Sequence, residues 1–165
     1  MYTVTYLVVW YCIRMKTVAY GELVKQRLDT KYCPFCEEWQ SNYIDQNESA
    51  YVISARAPYE SDHVLICPKS HCSSMTELGA QELQDIRSLI TKRNQILYQK
   101  HAELVIFVRE GSTWGVTGKT VWHLHRHIVP HLTIHCRGTQ QDSDARVFMD
   151  NAQYQQTVTH LQSYL

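Results

Sequence analysis

Histidines 123, 125 and 127 occupy every second position of His123-Leu124-His125-Arg126-His127-Ile128-Val129-Pro130, a segment that ends apolar and β-branched. In an extended strand alternate side chains share a face, so this spacing predicts three imidazoles side by side on one surface. Imidazole titrates near neutrality, with an ordinary pKa of about 6.5, and three together can divide the roles of nucleophile, proton donor and metal ligand. Such a surface can hold a phosphate. In a chain with nine histidines among 165 residues, the bare pattern also fits a solvated polar strand face or a chance run, so its flanks must decide.

Directly upstream, Gly111-Ser112-Thr113-Trp114-Gly115-Val116-Thr117-Gly118-Lys119-Thr120-Val121 is a glycine-bearing loop that feeds into the histidine segment. Glycine admits positive φ and lets backbone N–H groups close on an anion. Earlier, Asp62-His63-Val64-Leu65-Ile66-Cys67-Pro68-Lys69-Ser70-His71 reads as a strand closed by Pro68, with a basic residue and a histidine beyond it. Earlier still stands Cys33-Pro34-Phe35-Cys36. Two cysteines at this spacing can grip one metal ion if two further donors come from elsewhere. The same spacing suits a redox pair or two free thiols, although no thioredoxin-like strand-helix pattern surrounds it.

In this order, over roughly residues 32–132, these segments resemble the histidine triad (HIT) superfamily of nucleotide hydrolases and transferases. The resemblance implies that His125 attacks the α-phosphorus of a nucleotide, giving a nucleotidyl-histidine that water resolves. It implies that His127 donates to a phosphate oxygen or protonates the leaving group, and that His123 completes the triad. Gly118, Lys119 and Thr120 would meet the same phosphate. His63 matches a family histidine near the site, its other reading being a structural histidine. In members that carry C-x-x-C, zinc is held by both thiolates, the histidine of P-K-x-H and the first triad histidine. Here these are Cys33, Cys36, His71 and His123, a closed set that implies a structural Zn²⁺. Cys12, Cys67, Cys72 and Cys136 are expected to be packed or incidental thiols, with Cys72 the one spare ligand.

The chain departs from the family pattern at several positions. Ala55 stands where an acidic residue usually bonds the ribose. Arg109 replaces the asparagine that commonly opens the glycine loop, and would either grip a second phosphate bidentately or sit at a surface strand end. The loop is longer than in many relatives, Arg126 replaces an apolar residue and is expected on the face opposite the histidines, and His131 replaces an arginine. A histidine at 127 favours a hydrolase cleaving at the α-phosphate of dinucleoside polyphosphates or nucleoside phosphoramidates over a nucleotidyltransferase. A zinc-stabilised nucleotide-binding module without turnover is the further alternative. The family resemblance also implies a homodimer.

Sixteen Lys and Arg balance sixteen Asp and Glu, so no global basic field exists to hold nucleic acid. Six cysteines without a secretion signal argue against a disulfide framework. Residues 1–13 are apolar but lack a basic n-region and are too short to span a bilayer, so a cytoplasmic protein without a membrane partner is expected. Residues 1–14 suit an added strand, an interfacial segment or a start-site artefact. Residues 50–54 and 64–67 read as an antiparallel strand pair around a turn, residues 80–101 as the long helix, and residues 104–108 as a further strand. The expected fold is α+β: an antiparallel sheet of about five strands with a long helix packed on it and a weaker C-terminal helix over 151–165. The expected division is an N-terminal extension over 1–31, the HIT domain over 32–136 and a C-terminal tail over 137–165.

Overall fold

Two short runs, Ala50–Ser54 (β2) and Val64–Pro68 (β3), are buried at every position, which makes them the centre of a sheet covered on both faces. The computed structural model describes residues 33–113, 117–133 and 148–164. The expected extension over 1–31, Cys12, Cys136, Trp114, Gly115 and the loop at 139–144 lie outside those residues. A helical turn at Pro34–Glu37 (α1) and a 3-10 turn at Trp39–Ser41 precede β1 (Tyr43–Gln46). After β3 come a 3-10 turn (Met75–Glu77), the long helix α2 (Ala80–Leu97), β4 (Leu104–Val108), β5 (Arg126–Pro130) and α3 (Asn151–Gln162). The strands form one antiparallel sheet in the order β1-β2-β3-β5-β4, so the fold is α+β with five strands.

Period-two alternation divides the sheet's side chains between two layers. Ala50, Val52, Val64, Ile66 and Ile128 join Ile86, Leu89 and Leu97 of α2 in the main core. Tyr51, Ile53, Ala55, Leu65 and Cys67 form the opposite layer, covered by Phe35, Trp39 and Tyr43. His127 is paired with Leu65 in register, which puts it on this second layer, away from α2. Arg126 is paired with Ile66 and faces the helix side, as its position in the alternation requires.

The histidine segment differs from expectation at its start. β5 begins at Arg126, so His127 alone of the triad lies in a strand, while His123 and His125 precede it. The ladder stops there because its groups have other partners: the Leu124 N–H donates to the Cys72 carbonyl at 2.7 Å, and the Pro68 carbonyl accepts from the His123 ring at 2.9 Å. Helix α2 ends at Leu97 because the following N–H groups of Gln99, Lys100 and His101 turn back on Ile96 and Leu97.

The C-terminal helix packs on the main core. Asp150 and Gln153 cap it reciprocally, side chain to backbone N–H in each direction. Tyr154, Val158 and Leu161 enter the same core as α2, and Gln162 reaches the Tyr43 carbonyl. Leu161 is fully buried, so Leu161→Ala is expected to cost about 2–4 kcal/mol of global stability, read as a lowered denaturant midpoint at constant m-value. A separate tail would show no shift. Among the described residues, the four cysteines are unbridged and no helix is long and apolar enough to cross a membrane.

Candidate active site and metal centre

Pro34 starts a single helical turn in which the N–H groups of Cys36 and Glu37 both return to the Cys33 carbonyl. That turn brings Cys33 and Cys36 onto one side. His71 arrives from a loop wired at both ends: Ser70 Oγ donates to Glu82 Oε1 of α2, and Glu77 Oε1 accepts from the N–H groups of Ser73 and Ser74. Cys36 Sγ is 3.2 Å from His71 Nδ1, and His123 Nδ1 is 3.4 Å from each sulfur. The four ligand atoms all lie within 4.8 Å of one another. Tetrahedral zinc with Zn–S of about 2.3 Å and Zn–N of about 2.0 Å needs donor-to-donor edges of about 3.3–3.8 Å, so the donor set fits that ion. Burial, reinforced by the adjacent Cys33, pushes the Cys36 thiol well above its ordinary range, an environment that favours thiolate only beside a cation.

Each triad imidazole has its tautomer fixed through one ring nitrogen. His123 Nε2–H donates to the Pro68 carbonyl, which leaves Nδ1 as a lone pair toward the two sulfurs. His125 Nδ1–H donates to the His123 carbonyl at 2.8 Å, which leaves the lone pair on Nε2. His63 Nδ1 accepts from the Tyr59 N–H at 3.1 Å, so its Nε2 carries hydrogen and donates to His127 Nδ1 at 3.0 Å. His127 therefore bears its own hydrogen on Nε2. Burial pulls His125 down to about 4, against the bond to the His123 carbonyl, and the charges of Lys119 and Arg109 act in the same direction as burial. The ring is neutral at neutral pH.

Aromatic residues hold these rings in place. Phe35, between the two cysteines, meets His125 edge-on at 5.0 Å, and Trp39 stacks on Tyr51, whose hydroxyl donates to the Phe35 carbonyl. Phe107 of β4 stacks on His127 at 4.3 Å, and Tyr59 stacks on His63 at 5.3 Å. The sequence carries no site signal for Phe35 or Tyr59, each an aromatic beside a proline in a turn, or for Phe107, which reads as ordinary core in the apolar run 104–108.

The glycine loop is placed differently from expectation in one respect. Lys119, expected at a phosphate, is only 1% exposed, and its ammonium donates to the Ser73 carbonyl at 2.7 Å. It pins the loop to the segment that carries His71. Gly118 is exposed at φ +65°, so the backbone there calls for glycine, and a Cβ would push Arg109 Nη1, 2.9 Å away, from its place. Arg109 Nη1 donates to the Gly118 carbonyl, Thr120 is half-buried, and Ala55 is buried in the second layer.

A family profile described as the HIT domain matches residues 37–134. The nitrilase and fragile histidine triad fusion protein NitFhit of Caenorhabditis elegans is 29% identical over 114 residues, which is 67% of this chain and 22% of that protein. The chain thus spans less than a quarter of that relative's length. Among solved structures, the Plasmodium falciparum diadenosine triphosphate hydrolase shares the fold with a TM-score of 0.59 at 19% identity, over 74% of this chain and 75% of that one. A zinc-bound histidine triad family protein from Mycobacterium smegmatis does so with a TM-score of 0.58 at 19% identity, over 80% and 91% of the respective chains. The profile takes in the whole sheet, α2 and all three triad histidines, and on that match the chain belongs to the HIT domain family.

Proposed function

We propose that this protein is a nucleotide hydrolase that cleaves at the α-phosphate, with His125 as nucleophile. The observation that carries the reading is the tautomer pattern: one ring of the triad offers a lone pair, and its neighbour, 4.9 Å away between centroids, offers an N–H. His125 Nε2 would attack the α-phosphorus, the bond to the leaving group would break, and that group would depart with the electron pair. His127 Nε2–H would stabilise charge on a phosphate oxygen or on the departing atom, with N–H groups of the Gly118–Thr120 stretch beside it. Water would then add to phosphorus, the phosphorus–nitrogen bond would break with its pair returning to His125, and the water's proton would pass to solvent. Zinc at Cys33, Cys36, His71 and His123 would serve as a structural tether between α1 and the start of the catalytic segment.

The relatives support a phosphoanhydride-cleaving role, since one of them is a diadenosine triphosphate hydrolase. A histidine at 127 supports hydrolase over transferase. Ala55 favours one rival, a binding module without turnover, because no carboxylate stands there to bond a ribose. Quenching the enzyme in acid-sparing denaturant with α-labelled nucleotide separates the readings: a stoichiometric adduct on His125 is expected, and a binding module would give none. The reading also takes the protein as a homodimer, with edge strand β4 and its Ile106, 43% exposed, as a candidate surface; sedimentation decides it.

His63 is read as a positioning residue. It is 2% exposed, and it holds His127 in the tautomer that presents Nε2–H. His63→Asn is expected to lower kcat about 10–100-fold with KM changed less than about threefold, because orientation at the reacting centre is lost while binding is kept. Equal changes in kcat and stability with a matching rise in KM would assign His63 a merely structural role.

A further inference from the structure

Beyond His127 the structure continues in a row of planar groups that ends in a cation. Phe107 stacks parallel on His127, the Arg109 guanidinium carbon lies 5.3 Å from the Phe107 centroid, and Tyr59 flanks the same guanidinium at 5.6 Å. One Arg109 nitrogen is anchored on the Gly118 carbonyl, where the missing Cβ makes room for it. Among the described residues no carboxylate lies within ion-pair distance of Arg109. A guanidinium has five N–H donors in a fixed fork, so this anchoring leaves donors unspent and orients the fork. Resting against two adjoining rings, half-buried and without an acidic partner among the described residues, it is arranged to receive an oxyanion.

Its place in the row says which oxyanion. Resting on the reading above, an α-phosphorus in reach of His125 Nε2 puts the leaving group on the His127 side, and Arg109 sits against Phe107, the ring stacked on His127. We propose that Arg109 is a specificity-determining residue that selects substrates whose leaving group is itself a phosphate, that is, nucleoside polyphosphates and dinucleoside polyphosphates, over phosphoramidates. In the cleavage step the bond from the α-phosphorus to the bridging oxygen breaks and its electron pair stays on the departing phosphate. Arg109 binds the non-bridging oxygens of that phosphate and stabilises the charge it gains. An amine leaving group offers the guanidinium no oxygen and gains nothing from it.

The test compares wild type, Arg109→Gln and Arg109→Lys on a diadenosine polyphosphate and on an adenosine 5′-phosphoramidate. Arg109→Gln is expected to lower kcat/KM for the polyphosphate about 30–100-fold more than for the phosphoramidate. Arg109→Lys keeps charge and stem without the fork, and should recover only part of the difference. A second arm measures equilibrium binding of ADP and AMP. Wild type is expected to bind ADP about tenfold or more tightly than AMP, and Arg109→Gln should bind the two alike. Equal losses on both substrates, or an ADP preference that survives in Arg109→Gln, would overturn the assignment. Absence of turnover with either substrate class would instead defeat the hydrolase reading, and the ADP-to-AMP ratio would still judge Arg109 alone.

Discussion

His125→Ala is expected to lower turnover by about 10⁴–10⁶-fold and to abolish the trapped nucleotidyl adduct, while zinc content stays at one per chain. The size follows from the chemistry: with no Nε2 lone pair at that position the two-step path is closed, and only water held by the remaining donors can attack. The fold should survive, because the ring contributes one hydrogen bond to the His123 carbonyl and an edge contact with Phe35. Their loss costs about 1–3 kcal/mol, within what a domain of this size tolerates. Rapid-quench measurement with labelled nucleotide, alongside thermal melting and metal analysis of the same preparation, checks each part. Retention of even a hundredth of wild-type turnover would end the assignment of His125 as nucleophile.

Cys33→Ser is expected to have the opposite profile, a large loss of stability from a change that touches no reacting atom. Binding energy at a structural zinc site is folding energy, on a scale of about 10–16 kcal/mol in isolated zinc-finger peptides. A domain with its own core loses less, of the order of 5 kcal/mol, when one thiolate goes and the ion leaves. The affected connection is long-range, since the site joins residue 33 to residue 123. The two cysteines must bind as thiolates and the two histidines as neutral rings, so metal affinity falls as pH falls. Melting wild type and Cys33→Ser with and without a chelator tests this. Chelator should bring the wild-type transition down to that of the variant and leave the variant unmoved; coincident transitions for all four samples would remove zinc from the account.

Much of this architecture is readable from residue order, and the parts that are not have definite causes. The helix at 80–97 declares itself through Ile86, Leu89 and Leu97 at helical spacing. The strands at 50–54, 64–68 and 104–108 do so through β-prone apolar runs. The four candidate metal-site residues come from three short motifs, joined by the family resemblance, that meet in space. β1 escapes notice because it is a short edge strand with Asp45 and Gln46 in it and a register shift between Tyr43 and Asp45, which breaks the alternation. The start of β5 escapes for a different reason: a three-histidine alternation looks like continuous strand, and nothing in it tells that the Pro68 carbonyl will bond a ring in place of a backbone N–H. The family resemblance and its charge put Lys119 at a phosphate, yet whether its ammonium turns outward or inward to Ser73 depends on a loop some forty-six residues away in sequence. Arg109 could be identified as unusual for the family, but its collar of Tyr59 and Phe107 is assembled from two other elements.

His123 carries two duties on separate atoms: its ring faces the cysteines, and its main-chain oxygen orients the ring of His125. Transplanting the H-x-H-x-H string onto another scaffold would therefore leave the middle imidazole with no fixed aim. A working graft must bring the Pro68 carbonyl and the knuckle at residues 33–36 with it, so the smallest transferable unit is three separated stretches of chain and not a single peptide.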